Sequence, residues 1–368
     1  MTPDRRIPVS VITGFLGSGK TTLLNRLLQD PAMAGAAVII NEFGEIGLDH
    51  LLIATPNENI VLLASGCICC TLRGDLVNTL RELDAQRRKG EVPAYDRVLI
   101  ETTGLADPVP IVQTVITDER LAPHYGLDSV ITLVDAVNGF AQLDAQPESV
   151  KQAAIADRLL ITKTDLAAPS DVQALTARLV ELNPGAQVLT VAHGEVAPAM
   201  LFGATIDATA RQAEIAAWLR DTEYVRVEAQ QNLSPGARAE PHDARIQSYC
   251  IHLDDPVTRA GLTSWLIALA SLHGADLLRV KGLLNVEGEP VVVQAVQTLI
   301  HEPVTLARWP DDNRRSRLVF IARGMDRAAI EATLDMLRWK STFPEGTGVP
   351  KPDPQAYARF VAAMSKVH

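Results

Sequence analysis

Three of the four cysteines of the chain lie within four positions, in the segment "ASGCICCTLRGDL" at residues 64–76. Cys67, Cys69 and Cys70 are too close in sequence for an unstrained disulfide. A closed structural zinc site uses four ligands, usually as two separated pairs, and no second pair complements these thiols. Three soft thiolates suit Zn²⁺ or Cu⁺, whereas Mg²⁺ and Ca²⁺ prefer oxygen. The segment therefore predicts a transition-metal site with one open or labile coordination position.

The surroundings of these cysteines favour metal binding over simple packing. The triplet precedes a helical pattern, and the positive end of a helix lowers the pKa of a thiol and so favours the thiolate. A second segment, "INEFGEIGLD" at residues 40–49, offers Glu42 and Glu45 as oxygen ligands. It follows the second apolar run, where nucleotide-dependent switches commonly move. A solvated acidic loop is the alternative interpretation.

The segment "GFLGSGKT", Gly14 to Thr21, matches the phosphate-loop pattern G-x-x-x-x-G-K-[ST] in full. It follows an apolar run and opens a helical pattern, which is the context that this motif requires. Glycines let successive backbone N–H groups point at phosphate oxygens, and the helix N-terminus adds to the attraction. We expect Lys20 to reach the β- and γ-phosphates and the Thr21 hydroxyl to bind Mg²⁺.

The segment "ITKTDL" indicates which base is bound. A carboxylate at Asp165 can accept hydrogen bonds from N1–H and the exocyclic amine of guanine, whereas adenine presents an acceptor at N1. A wrong base would leave a buried polar group unpaired, which gives strong discrimination. Lys163 is expected to lie against the base and the phosphate loop. Thr162 stands where the commonest form of the motif has Asn.

A third segment, "RVLIETTGLADP", supplies groups for Mg²⁺ and the γ-phosphate. Glu101 ends an apolar run, the position from which a carboxylate holds Mg²⁺ directly or through water. Gly104 follows at the spacing where a backbone N–H commonly contacts the γ-phosphate. We therefore expect Lys20, Thr21 and Glu101 to be the catalytic residues, with Thr21 and Glu101 as the magnesium ligands.

The elements that must position these groups follow from the apolar pattern. Short, continuous apolar runs suit strands buried on both faces of a parallel sheet. The runs lie at residues 7–13, 36–40, 59–64, 97–101, 130–135, 158–162 and 187–191. Helical patterns separate them, with Leu72, Leu76, Leu80 and Leu83 on one face of 71–88. This alternation predicts an α/β fold with a mostly parallel, doubly wound sheet.

The pattern changes after about residue 225. Residues 228–245 are polar and contain Pro and Gly, which predicts a linker or long loop. Beyond it, residues 246–253, 290–300 and 316–324 are strand-like, and residues 257–274 and 326–337 are helical. Cys250 is expected in the core. We predict a phosphate-loop GTPase domain at 1–225, a linker at 226–245, a smaller α+β domain at 246–340 and a tail at 341–368.

The composition restricts the partners. The formal net charge is -10 over 368 residues, which disfavours a nucleic acid or an anionic membrane surface. Four cysteines are too few for a secreted disulfide scaffold. Neither a signal peptide nor an apolar stretch of membrane-spanning length is recognised. A cytoplasmic protein with reduced thiols is the expectation.

The motifs "GFLGSGKTTLLN", "NEFGEIG", "SGCICCTLRGDL", "ETTGLADP" and "TKTD" occur in this order. Together they resemble the CobW-like family of metallochaperone GTPases, especially its YjiA-type branch. The segments "LLRVKGLLNVEGEP" and "VFIARGMD" are similar to the C-terminal domain of that family. The resemblance thus covers nearly the whole chain. In one departure, Ile40 stands where some relatives place a further glutamate.

The resemblance implies GTP hydrolysis coupled to delivery of a transition metal, most often zinc, with cobalt in the cobalamin branch. It implies a client metalloprotein as partner, and it leaves a homo-oligomer open. The residues that it implies for phosphate and Mg²⁺ are Gly17, Ser18, Gly19, Lys20, Thr21 and Thr22. It also implies guanine binding by Lys163 and Asp165, and metal binding by the cysteine triplet with an oxygen from Glu45 or Glu42.

These observations lead to one hypothesis and several alternatives. The hypothesis is a switch in which GTP orders the loop at 41–49 and hydrolysis loosens metal binding at the cysteines. The first alternative is a metal sensor that uses GTP only as an ordering ligand. Others are a kinase or ATPase with the same phosphate loop, a redox thiol sensor, and a cobalt-handling relative in cobalamin synthesis.

Overall fold

The computed structural model describes residues 6–41, 61–65, 72–203, 246–273 and 276–339. These residues form two compact units. One contains the described residues up to Leu179 and those from Ala186 to Gly203, and the other contains Val180–Gly185 and the described residues from Ile246 onward. No helix in these ranges is long and apolar enough to cross a membrane.

The first unit is built on a sheet whose seven described strands are all parallel, in the order β3-β2-β4-β1-β5-β6-β7. The strands are β1 (Ile7–Gly14), β2 (Ala36–Asn41), β3 (Val61–Ser65), β4 (Arg97–Glu101), β5 (Tyr125–Asp135), β6 (Arg158–Thr162) and β7 (Gln187–Thr190). Each predicted apolar run of this region overlaps a strand. The doubly wound α/β fold is confirmed, although β5 begins five residues before the predicted run.

Helices cover both faces of this sheet, which is why its strands are apolar on both sides. They are α1 (Lys20–Leu27), α2 (Leu72–Lys89), α3 (Val109–Thr117), α4 (Gly139–Ala145), α5 (Pro147–Ala154) and α6 (Pro169–Leu182). In α2, the periodic residues Leu76, Leu80 and Leu83 are at most 1% exposed. The spacing that predicted this helix therefore identified its buried face.

The strand order fixes where a ligand can bind. From β1 the chain crosses to β2 on one side, and from β4 it crosses to β5 on the other side, so the connections diverge beside β1. In open parallel sheets, ligands bind at the carboxyl ends of the strands at such a divergence. The phosphate loop follows β1 at this point.

The second unit contains an antiparallel sheet in the order β11-β10-β9-β13-β8, with β12 paired to β10. Its strands are β8 (Ile246–Leu253), β9 (Leu277–Val286), β10 (Glu289–Val296), β11 (Leu299–Ile300), β12 (Val304–Thr305) and β13 (Ser316–Arg323). The helices α7 (Arg259–His273) and α8 (Arg327–Leu334) pack against one face through an apolar cluster. At its centre the Trp265 and Phe320 rings meet edge to face, with centroids 6.1 Å apart. The predicted α+β fold is confirmed.

Two features of this unit differ from the sequence prediction. Strand β9 was not assigned from the sequence, and all ten of its residues are buried, including Arg279 and Lys281. The run at 290–300 is two strands rather than one, because Gln297 adopts a left-handed conformation with φ of 53°. Cys250 is 1% exposed, which confirms its place in the core.

Candidate functional site

The phosphate loop begins where β1 ends, and glycines are required there. Gly14 has φ of +141°, and a Cβ at this position would lie 2.4 Å from the carbonyl oxygen of Leu133. Gly19 has φ of +90° and directly precedes α1. Gly17 has φ of +74° and open space around it. These conformations favour glycine, so the loop can curl close to its neighbouring strand.

The polar groups of this loop fit an anionic ligand. Lys20 is 8% exposed, and its Nζ donates to the carbonyl oxygens of Gly14 at 2.8 Å and Phe15 at 3.2 Å. Ser18 is fully buried, and its hydroxyl has no hydrogen-bond partner in the structure. A buried hydroxyl without a partner is costly. A cation, a hydroxyl and a helix N-terminus therefore converge at a place where a phosphate group would satisfy them.

The oxygen groups expected to hold Mg²⁺ lie at the same edge of the sheet. Thr21 is half-buried in the first turn of α1, and Thr22 beside it is exposed. Glu101 is 6% exposed and ends β4, where it is the register partner of Ile12 on β1. Hydroxyl and carboxylate oxygens are the donors that Mg²⁺ prefers. The two groups fit a magnesium ion, which would be held by Thr21 and Glu101.

The loop after β4 packs directly on the phosphate loop. A Cβ on Gly104 would lie 2.6 Å from the backbone nitrogen of Leu16 and 2.8 Å from its Cα. Gln152, which is 1% exposed, donates from Nε2 to the carbonyl oxygens of Gly104 at 3.2 Å and Ala106 at 3.0 Å. The glycine is therefore needed for close approach, and the position of this loop is fixed by α5.

The loop after β6 contains the residues expected to bind guanine. The Thr162 hydroxyl donates to the carbonyl oxygen of Ser18 at 2.7 Å, so it joins this loop to the phosphate loop. Lys163 has a left-handed conformation with φ of 57°, and its Nζ lies 2.7 Å from Oδ2 of Asp135. Asp135 is 1% exposed. Burial disfavours its charge, but hydrogen bonds from Lys163 and the Val137 N–H outweigh burial and hold the pKa of Asp135 below 3.8.

His193, which lies near this loop, was not identified from the sequence. Asp165 lies in the turn after Lys163 with a side chain 26% exposed, and Nδ1 of His193 is 3.6 Å from its Oδ2. The carbonyl oxygen of His193 accepts from Nε of Arg26 at 3.3 Å. His193 comes shortly after β7, so its position at the carboxyl edge of a parallel sheet was the available signal.

The metal motif cannot be placed in the same way. Cys67, Cys69, Cys70, Glu42 and Glu45 lie outside the described residues. Within the ranges that the structure describes, no group of three or more His, Cys, Asp or Glu side chains could hold a metal ion. The metal site therefore stays a prediction.

The fold and the site define a phosphate-loop nucleotide-binding protein. Comparisons with known proteins agree: residues 8–190 match the family model "CobW/HypB/UreG, nucleotide-binding domain", and residues 246–338 match "Cobalamin synthesis protein cobW C-terminal domain". The chain is 35% identical to the zinc chaperone YjiA of Escherichia coli over 334 residues, covering 90% of this chain and 99% of the relative. It is 32% identical to the zinc chaperone CobW of Pseudomonas aeruginosa, covering 88% and 90%.

A solved structure extends this likeness to three dimensions. The Zn(II)-bound YjiA GTPase from E. coli superposes with a TM-score of 0.67 at 30% identity, covering 91% of this chain and all of the other. The chain belongs to the CobW family, and it is a GTPase. Both statements confirm what the motifs predicted.

Proposed function

We propose that the protein is a zinc metallochaperone in which GTP binding and hydrolysis control metal binding at Cys67, Cys69 and Cys70. Zinc is the cargo, which the protein passes to a client metalloprotein. Two relatives that are named zinc chaperones support this choice of metal, and so does the preference of thiolates for zinc. Glu42 or Glu45 supplies an oxygen ligand to the same ion.

The observation that carries the proposal is the register of two neighbouring strands. Asn41 and Ser65 are the last residues of β2 and β3, and they are register partners. Adjacent strands are about 4.8 Å apart. The last described residues of β2 and β3 are therefore neighbours at the carboxyl edge of the sheet, which supports the proposal that Glu42 and the cysteine triplet, in the segments that follow, share a site.

The same edge continues to the nucleotide site. Ile40, one residue before the end of β2, is the register partner of Glu101, and Glu101 is in turn the partner of Ile12 on β1. Three strand spacings separate β3 from β1, or about 14 Å. The end of β3 is thus within about 14 Å of the end of β1 at this edge, which supports the proposed coupling between metal binding and the nucleotide.

Under this proposal, the described residues of the candidate site have separate roles in GTP binding and hydrolysis. The Lys20 amine exchanges the carbonyl oxygens of Gly14 and Phe15 for phosphate oxygens, and the N–H of Gly104 contacts the γ-phosphate. Asp165 binds guanine through two hydrogen bonds. Thr21 and Glu101 would hold Mg²⁺, which neutralises the charge that develops on the phosphates.

Zinc titration in different nucleotide states tests the proposal. The zinc affinity of the untagged protein is measured with a non-hydrolysable GTP analogue, with GDP and without nucleotide. Because coupling free energies of about 1–3 kcal/mol are typical, we expect the affinities with the analogue and GDP to differ at least about fivefold. By reciprocity, zinc changes the affinity for the analogue relative to that for GDP by the same factor.

Two cysteine variants make this test specific. Cys69→Ala is expected to abolish stoichiometric zinc binding while nucleotide binding is kept. Cys250→Ala is the matched control, since Cys250 lies in the core of the second unit, and it is expected to bind zinc as the wild type does. Equal zinc affinities in all three nucleotide states would exclude a metallochaperone that is controlled by GTP.

A further inference from the structure

A cavity of the second unit is lined by residues that are not part of the candidate nucleotide site. It measures about 520 Å³ and lies beside the segment that joins β12 to β13. Its lining residues are Arg308, Trp309, Asp311, Asp312 and Arg314. Ligand sites in proteins are commonly about 300–1,000 Å³, so this cavity is large enough for several side chains of a partner.

The segment that lines the cavity is held in a defined conformation. Arg317, which is 4% exposed, donates from NH1 to Oδ2 of Asp311 at 3.0 Å and from NH2 to Oδ1 at 3.4 Å. The N–H of Asn313 donates to Oδ1 of Asp311 at 2.9 Å, and the N–H of Arg315 to Oδ1 of Asn313 at 3.1 Å. The conformational entropy cost of ordering this segment is thus largely met by folding, before any ligand binds.

The sheet fixes both ends of the same segment. Nδ2 of Asn285 donates to the carbonyl oxygen of Arg314 at 3.0 Å, and its N–H donates to Oγ of Ser316 at 2.9 Å. Nε1 of Trp309 donates to the carbonyl oxygen of Gly288 at 3.1 Å. The Trp309 ring packs on a small apolar cluster and stays partly exposed. The ring therefore presents a fixed apolar surface to the cavity.

The charges in this segment divide into paired and unpaired groups. Arg315 forms an ion pair with Asp254 at 2.5 Å, and Arg317 is paired with Asp311. The exposed side chains of Arg308 and Arg314 form no ion pair or hydrogen bond in the described structure. With Asp311 neutralised by Arg317, the cavity holds two unpaired arginines and one further carboxylate, Asp312. The site is locally positive in a chain of net charge -10.

We propose that this cavity is the docking site for an acidic segment of a partner protein. Carboxylates of the segment pair with Arg308 and Arg314, and an apolar side chain packs on Trp309. Trp and Arg are the residues that most often dominate binding at protein interfaces, and guanidinium groups bind carboxylates in bidentate geometry. A small anion would engage the arginines but would leave the tryptophan surface uncovered. That this partner is the metal-receiving client rests on the proposed function.

Fluorescence anisotropy with a defined probe tests the docking site. The probe is a labelled eight-residue peptide of alternating Glu and Leu, and its counterpart has Lys in place of Glu. We expect the full-length protein, without zinc or nucleotide, to bind the Glu peptide saturably and more weakly as salt is added. Arg308→Ala and Arg314→Ala each weaken binding about fivefold, since truncating an interface anchor costs at least about 1 kcal/mol.

The matched control is Arg315→Ala, an arginine of the same segment that is already ion-paired, and it is expected to bind the peptide like the wild type. An equal loss in this control, tight binding of the Lys peptide, or no binding of the Glu peptide would overturn the proposal. Displacement by inorganic pyrophosphate at equal concentration would assign the cavity to small anions instead. Cys69→Ala is expected to bind the peptide normally, so loss of zinc binding and loss of docking are distinguishable.

Discussion

The two sheets of this protein carry their polar groups in different places. The strands of the parallel sheet are mostly apolar, and the charged groups of the candidate site lie at or after their carboxyl ends, as Lys20 and Asp165 do. The antiparallel sheet carries buried cations within its strands. Arg279 and Lys281 on β9 and Arg317 on β13 are each at most 4% exposed. They alternate with the residues that face α7 and α8, so they lie on the opposite face.

This difference predicts which substitutions change GTP hydrolysis and which change the stability of the fold. A group that follows a strand can change partner when a ligand arrives, as we propose for the Lys20 amine and its two backbone carbonyls. A buried cation within a strand is held by fixed acceptors, as Nζ of Lys281 is by the carbonyl oxygen of Gly185 at 3.1 Å. We expect substitutions of Lys20 and Asp165 at the parallel edge to alter GTP binding or hydrolysis with little effect on folding, and substitutions of the buried cations to do the reverse.

Lys20→Ala provides the largest expected effect. It removes the cation that stabilises charge on the phosphates, and the loss of one such group lowers kcat by about 10²–10³-fold. Phosphate release measures the rate, and thermal unfolding measures stability. If the variant unfolds far more easily than the wild type, Lys20 has a structural role and the separation between the two sheets fails.

Asp165→Ala tests the base-binding end of the same edge. Losing a hydrogen bond to a charged group costs about 1.5–3 kcal/mol, so GTP binding weakens by at least about tenfold. Inosine triphosphate lacks the exocyclic amine and serves as the control ligand. The wild type is expected to prefer GTP over ITP, and the variant to bind both equally. A preference for GTP that persists in the variant would place base recognition elsewhere.

Gly104→Ala tests how closely two loops of this edge depend on each other. A methyl group would lie 2.6–2.8 Å from backbone and side-chain atoms of Leu16, and such overpacking costs about 1–3 kcal/mol. We expect lower GTP affinity together with a lower urea midpoint. Gly126→Ala is the control, because its Cβ would meet nothing closer than 3.6 Å. Equal behaviour of the two variants would contradict the close contact.

Arg317→Ala tests a buried cation of the antiparallel sheet, where stability is expected to change and GTP hydrolysis is not. It leaves Asp311 without its partner, and Asp311 is 40% exposed, so water compensates in part. We expect a loss of about 1–2 kcal/mol in the free energy of unfolding, with unchanged GTP hydrolysis per folded molecule. Arg315→Ala breaks an exposed pair and should cost less than about 1 kcal/mol. A fall in the hydrolysis rate of Arg317→Ala would show that the two sheets are not independent.

Asp135→Asn gives the smallest effect, a loss of stability at neutral pH that diminishes in acid. The pKa of Asp135 is lowered in the folded protein, so this group adds stability above its unfolded pKa, and that stability is lost as the pH falls through the folded value. Urea unfolding below about pH 4 should therefore depend less steeply on pH in the variant. Identical slopes would mean that the pair with Lys163 adds no stability.

The sequence predicted the parallel half of the fold well, for a physical reason. Strands buried on both faces leave continuous apolar runs, and the phosphate loop specifies a strand before it and a helix after it. Strand β9 was missed because Arg279, Lys281 and Asn285 at alternating positions do not resemble a buried strand. Their burial depends on acceptors from distant parts of the chain, such as Gly185, which no local pattern contains.

The candidate site was predictable to a similar degree. Glycines, Lys20, Glu101 and Asp165 belong to motifs with fixed spacing, and the structure brings them to one edge. His193 belongs to no such motif, because its place beside Asp165 depends on the pairing of β7 with β6. The pair of Asp135 with Lys163 was missed for the same reason, since the two residues are 28 positions apart.

The hydrogen bond from Thr162 to the carbonyl oxygen of Ser18 has a consequence for ligand choice. It ties the loop proposed to read the base to the loop proposed to receive the phosphates, so the protein sets the distance between the two ends of the proposed nucleotide site. A guanine compound is then selected by its length as well as by its base. Free guanine or guanosine can occupy only one end of such a site, and each lacks the binding free energy of the contacts at the other end.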